Sequence, residues 1–170
     1  SEGVVLGNLG ALLIERGDAG GARDLLEAAL EIHRDVGNVR FEAIVLGTLA
    51  DVLRGEGRLG EARERAEAAL ALARRSGDRR AEASRLATLA ELHAQEGRSE
   101  EAAALFDAAE RALRDADDRL DLAEILCAHG MFDERRGDAA SARARLSEAS
   151  RIADELGLGD ESAVRIAVNR

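Results

Sequence analysis

The sequence predicts an all-α solenoid of four antiparallel helix pairs. Two observations carry this reading. Glycine returns every twenty residues, at Gly17, Gly37, Gly57, Gly77, Gly97, Gly137 and Gly157, with Asp117 in the one remaining place. The segments between these stops alternate in character, so the full pattern repeats every forty residues. There is no proline to break a helix inside any segment.

Each stop is followed by the next start. Glycine takes the left-handed conformation that ends a helix without steric cost. Asp117 is tolerable there because aspartate visits that region more readily than most residues. A short polar side chain often comes next, at Asp18, Asn38, Asp78, Asp118 and Asp138, placed to accept from the free N–H groups of the following helix. Once the turn is subtracted, about 16 residues remain, a helix of roughly 24 Å. Runs such as "ARERAEAALALARR" are made of strong helix formers.

The odd segments are the A helices and the even segments the B helices. Leu6, Leu46, Leu86 and Leu126 form one column of the A helices; Ala22, Ala62, Ala102 and Ala142, and Ala29, Ala69, Ala109 and Ala149, form two columns of the B helices. Gly10, Ala50, Ala90 and Gly130 form a further A column of small residues, where a partner helix can come close enough to offset the cost of mid-helix glycine, about 1 kcal/mol. One pair cannot bury its own apolar face, so neighbours must stack. A globular helix bundle, the alternative, would not require such strict spacing. The repeats are expected at about 1–37, 38–77, 78–117 and 118–157. A last helix from about Asp160, within 158–170, would be a cap or the start of a fifth unit, and the chain reads as an excised piece.

On helix A1, Leu6, Leu9, Gly10 and Leu13 make the expected core stripe at helical spacing. The opposite face carries Val4, Gly7, Asn8, Ala11 and Ile14, which is largely apolar where a solvent face should be polar. The same face of A2 carries Ile44, Gly47, Thr48, Asp51 and Arg54; of A3, Ser84, Thr88 and Glu91; of A4, Glu124, Cys127, Met131 and Glu134. It grades from apolar at the N-terminal end to acidic at the C-terminal end. An apolar surface rimmed by charge marks an interaction site, unless an upstream repeat or domain covers Val4 and Ile14.

Other chemistry is poorly supported. The net charge of −10 gives no basic footprint for nucleic acid, and no run approaches the roughly 20 apolar residues of a membrane span. All 24 basic residues are arginine, which removes lysine chemistry and fits a GC-rich bacterial genome. Lone Cys127 suits a reducing compartment such as the cytoplasm. Cys127 and His129 stand two apart on one helix, a poor nucleophile–base geometry. His33, His93 and His129 show no pairing at metal-ligand spacing. "DADDRLDLAE" has Arg119 at a ligand place and Leu120 at the glycine of a calcium loop. No enzyme activity, cofactor or metal is expected.

The repeats resemble tetratricopeptide repeats across residues 1 to 157. The first unit carries the resemblance on Leu6, Leu9, Gly10, Leu13, Gly17, Ala22, Leu26 and Ala29; the second on Leu46, Leu49, Ala50, Leu53, Gly57, Ala62, Ala66 and Ala69. The third and fourth follow in the same register, with His93, Phe106, His129 and Asp133 as variations. Leucine replaces the family's usual aromatics, and the proline after helix B is missing. The period of forty matches the longer type seen in kinesin light chain and in bacterial sensor arrays, rather than the common period of about 34. The resemblance implies a right-handed α-solenoid with a C-terminal extra helix, whose A-helix face lines a groove for a peptide or partner helix. The implied function is a protein- or peptide-binding scaffold, the docking or sensor part of a larger bacterial regulator. A small-ligand or signal-peptide sensor is the alternative. Self-association through exposed repeat ends is a further expectation.

Overall fold

The structure, a computed structural model, describes residues 2–169. Among these the chain is all helix and turn. The A helices are α1 (Glu2–Glu15), α3 (Val39–Gly55), α5 (Arg79–Gln95) and α7 (Arg119–Arg135). The B helices are α2 (Ala19–Asp35), α4 (Leu59–Ser76), α6 (Ser99–Asp115) and α8 (Ala139–Glu155). A short α9 (Ala163–Val168) follows. It starts three residues later than Asp160, because the Ser162 hydroxyl caps it by accepting from the Arg165 N–H at 3.2 Å.

The stops are left-handed as expected. All seven glycines have positive φ, and Asp117 is the one non-glycine residue described with positive φ, at 53°. At Gly77 (φ 70°) the chain closes with two reverse bonds: Gly77 N–H donates to the Arg74 carbonyl at 3.2 Å and Asp78 N–H to the Ala73 carbonyl at 3.0 Å. The outer bond recurs at Asp18, Asn38, Arg58, Arg98, Asp118, Asp138 and Leu158, which satisfies carbonyls the helix end leaves free. The starts are capped where the sequence offers a cap: Asp18, Asn38, Asp78, Asp118 and Asp138 each accept from the N–H three residues on. Arg58 and Arg98 make no such bond.

The chain forms two compact units, residues 1–81 and 82–170. In the first, α3 lays Val45, Leu49 and Val52 against Leu26, Ala29 and Leu30 of α2, with Leu46 and Ala69 completing the core. Leu9 departs from the expected core stripe. It is 44% exposed, beside exposed Val5 and Leu12. Val5, Leu9 and Leu12 stand in the columns of Val45, Leu49 and Val52, which pack back onto the preceding B helix. No described helix precedes α1, so that face is uncovered. Gly10 is buried against α2: a Cβ there would lie 3.0 Å from Leu26 Cγ and 3.4 Å from the Ala22 carbonyl oxygen.

In the second unit, Ala87, Ala90, Ala102, Phe106 and Phe132 form a buried cluster. Gly130 repeats the arrangement of Gly10, 3.0 Å from Leu146 Cγ and 3.4 Å from the Ala142 carbonyl by the same measure. The two positions that broke the apolar pattern, His129 and Asp133, are buried, 1% and 0% exposed. They belong to an ionic network across α6, α7 and α8. Arg145 Nη1 donates to Asp133 at 2.6 Å, its Nε to Glu110 at 3.0 Å, and its Nη2 to Asp107 at 3.2 Å. Arg136 Nε donates to the other Asp133 oxygen at 2.9 Å. His129 Nδ1 lies 2.6 Å from Glu110, and its ring stacks on Phe106 at 4.8 Å. Burial raises the Glu110 pKa, but the bonds from His129 and Arg145 outweigh it and hold the carboxyl below its ordinary value.

These contacts set four measurable outcomes. Leu49→Ala, at a fully buried site, lowers unfolding free energy by about 2–5 kcal/mol in denaturant titration. Gly77→Ala costs about 1 kcal/mol in the same assay, because alanine must then hold a positive φ. Arg145→Met costs about 1.5–3 kcal/mol by leaving Asp133 with Arg136 as its one remaining arginine partner. Glu110 has a depressed folded pKa, so its contribution is present above the ordinary carboxylate value of 4.5 and is lost as pH falls through its folded value. Circular dichroism melts across that range show this loss in the native chain and a smaller one in Glu110→Gln.

Candidate functional site

In the first unit, residues of α1, α2 and α3 line a cavity of about 130 Å³. Val4, Gly7, Asn8 and Ala11 line it from α1, one helical turn apart, so that they share a face. Ile44 and Thr48 line it from α3 by the same spacing. The structure therefore brings together six of the residues on the expected A-helix face. Ile44 is 51% exposed at the mouth, and Asn8 is exposed at the rim. Thr48 spends its hydroxyl proton on the Ile44 carbonyl at 3.1 Å and keeps only acceptor capacity for a ligand.

The floor was not foreseen from the sequence. His33 of α2 lines the cavity with Phe41, Val45 and Leu26. It is 1% exposed, and neither ring nitrogen has a hydrogen-bond partner. Its ring stacks on Phe41 with centroids 5.1 Å apart. A Cβ at Gly3 would meet the ring at 2.9 Å, so glycine there is what admits the imidazole beneath α1. The available signal was the column itself: the other B helices carry Ala73, Leu113 and Ala153 where α2 has His33.

Ile14, Gly47, Asp51 and Arg54 do not line this cavity. Ile14 is 39% exposed one turn beyond it, and Gly47 is buried.

The second unit treats the same face differently. Ser84 and Glu91 are half-buried. Thr88 is buried and donates to the Ser84 carbonyl at 3.2 Å, so it offers a partner little surface. Cys127 is closed off: it is 3% exposed, with Sγ 3.9 Å from the Val164 carbonyl of α9. Burial, with a smaller contribution from Glu124, pushes its thiol up to about 11, the opposite of an activated nucleophile. Glu124 is exposed and Met131 half-buried. Glu134 borders a separate depression formed with α8 (Ala139, Ala142, Arg143, Leu146, Ser147 and Ser150) and Val168.

Asp107, Glu110 and His129 bring three ligand atoms within 4.8 Å of one another, close enough to hold a metal ion. The guanidinium of Arg145 already bonds two of them and Asp133 besides. This half-buried arginine supplies the positive charge that a cation would bring, and this geometry makes the cluster a structural ion network. Among the described residues no helix is long and apolar enough to cross a membrane.

Comparison with known proteins agrees with this architecture. No curated protein matches the chain in sequence. Among solved structures, BtubC (BKLC) from P. vanneervenii superposes with a TM-score of 0.77 at 20% identity, covering 94% of this chain and 66% of that one. A Podosopora anserina protein described as a kinesin light chain with nearly identical TPR-like repeats gives 0.73 at 17% identity, covering 96% of this chain and 80% of that one. The chain thus spans slightly less than two thirds of the first protein's length, and at these identities the likeness is one of fold. The tetratricopeptide repeat family matches in two overlapping stretches, residues 1–75 and 41–115. With the forty-residue helix pairs and their left-handed stops, this shows that the chain belongs to the tetratricopeptide repeat family.

Proposed function

We propose that this chain is a peptide-docking scaffold, the recognition part of a larger bacterial regulatory protein acting in the cytoplasm. Tetratricopeptide repeats generally serve as protein-interaction scaffolds and are typically non-catalytic. The observation that carries the reading is the open apolar cavity between Val4, Gly7 and Ala11 on one side and Ile44 on the other. It lies on the A-helix face, which is otherwise expected to be polar. An apolar residue of a docked segment enters beside Ile44. Exposed Glu124 and Glu134 in the second unit, with the net charge of −10, favour a basic partner. The apolar anchor supplies most of the affinity, and the charges mainly set encounter rate and specificity.

Ile44→Asp tests this reading. Ile44 is half-exposed, so the variant keeps its helicity and melting profile. The partner is captured by crosslinking to the native chain, identified, and titrated against both proteins. The expected loss is about thirtyfold, the effect of removing an anchoring contact worth about 2 kcal/mol. Unchanged affinity places docking elsewhere, on the B-helix surface.

A further inference from the structure

Gly7 and Gly10 are both mid-helix glycines of α1, but only one has a packing reason. Gly10 is pressed against Leu26 and the Ala22 carbonyl. A Cβ at Gly7 would meet nothing within 4 Å. Glycine at such a place sacrifices helix stability relative to alanine and gains no close approach within the chain. What its missing side chain does is keep the cavity open, since Gly7 forms part of its wall.

His33 presents a matching anomaly on the floor. Its nitrogens are buried without partners, whereas buried polar groups are normally bonded. A neutral imidazole offers one N–H donor and one lone pair. Apart from Asn8 and Thr48 the other walls are aliphatic or aromatic, and no Asp, Glu, Lys or Arg lines the cavity. A charged group entering it would lose hydration with no counter-ion to replace it. An apolar space of about 150 Å³ admits a benzene-sized group, and this one measures about 130 Å³.

We infer that the cavity over Gly7 is a side-chain pocket for a docked peptide, selecting a neutral residue with an apolar body and one hydrogen-bonding atom that reaches His33. The inference rests on the docking reading above and names the chemistry of its anchor. The body fills the space left by Gly7 between Val4 and Ile44. The polar tip satisfies a nitrogen of His33, whose ring is held in place by Phe41.

The test uses small probes of this chemistry on the full chain, followed by NMR. p-Cresol carries an apolar ring and a neutral hydroxyl; toluene lacks the hydroxyl; 4-methylbenzoate replaces it with a charge. p-Cresol is expected to bind on the order of millimolar and about tenfold tighter than toluene, with 4-methylbenzoate weakest. Its binding shifts the His33 ring resonances, and toluene moves them less. His33→Phe removes the tenfold preference. Gly7→Leu abolishes binding of both neutral probes while the helical signal stays intact. Equal binding of p-cresol and toluene, a preference that survives His33→Phe, tighter binding of 4-methylbenzoate, or no binding at all overturns the inference. The His33 resonances of the native chain decide the matter if His33→Phe fails to fold. Partner capture with Ile44→Asp uses none of these probes, so the docking reading and this inference fail separately.

Discussion

A left-handed residue at every twentieth position is the constraint on which the rest of the packing depends. Seven glycines and Asp117 hold it, and each forces the chain to reverse after a fixed number of helical turns. Helices of nearly equal length then present equal columns. Ala29, Ala69, Ala109 and Ala149 are fully buried because the stops deliver them to the same depth in each pair. An insertion of one residue inside any helix would rotate its apolar stripe by about 100° and break that delivery.

Within this frame, packing is settled by exchanges between columns rather than by single residues. Glycine at positions 10 and 130 faces leucine at 26 and 146. Where alanine takes the glycine's place, at 50 and 90, the facing column holds Ala66 and Phe106. Phe106 fits because its ring turns toward His129 and Phe132 of α7. Such trades let a core with few aromatics fill its volume.

The fold was legible in the sequence to the level of individual turns. The stop at Asp117, the caps at Asp18 and Asp138 and the small column at Gly10 all follow from local rules of backbone and helix ends. Leu9 was less legible, since its column is buried only where a B helix precedes it. The ion network was harder still. His129 and Asp133 stood out as breaks in the apolar pattern, but their partners Glu110 and Arg145 lie on other helices and are ordinary surface types in a helix. The A-helix face was legible as a face. The cavity needed the structure, because His33 belongs to a B helix and nothing in its local sequence says it reaches under α1. Cys127 shows the converse: helical spacing put it on the open face, and the later α9 covers it.

The buried charges of the second unit also bear on how a repetitive chain avoids folding wrongly. Hairpins this alike could pair out of order, with one A helix seated on another pair's B helix at little loss of apolar contact. His129 does not tolerate that exchange. On α2 or α4, the residues in the Glu110 column are Leu30 and Leu70, and a mispaired α7 would lay the His129 ring, which faces Glu110 on α6, against an aliphatic surface. The cost of a buried imidazole left without its carboxylate, with Arg145 losing the same partner, makes α6 the favoured seat for α7. A layer that adds little to stability compared with leucine can thus act as an address, fixing the order in which nearly interchangeable parts are assembled.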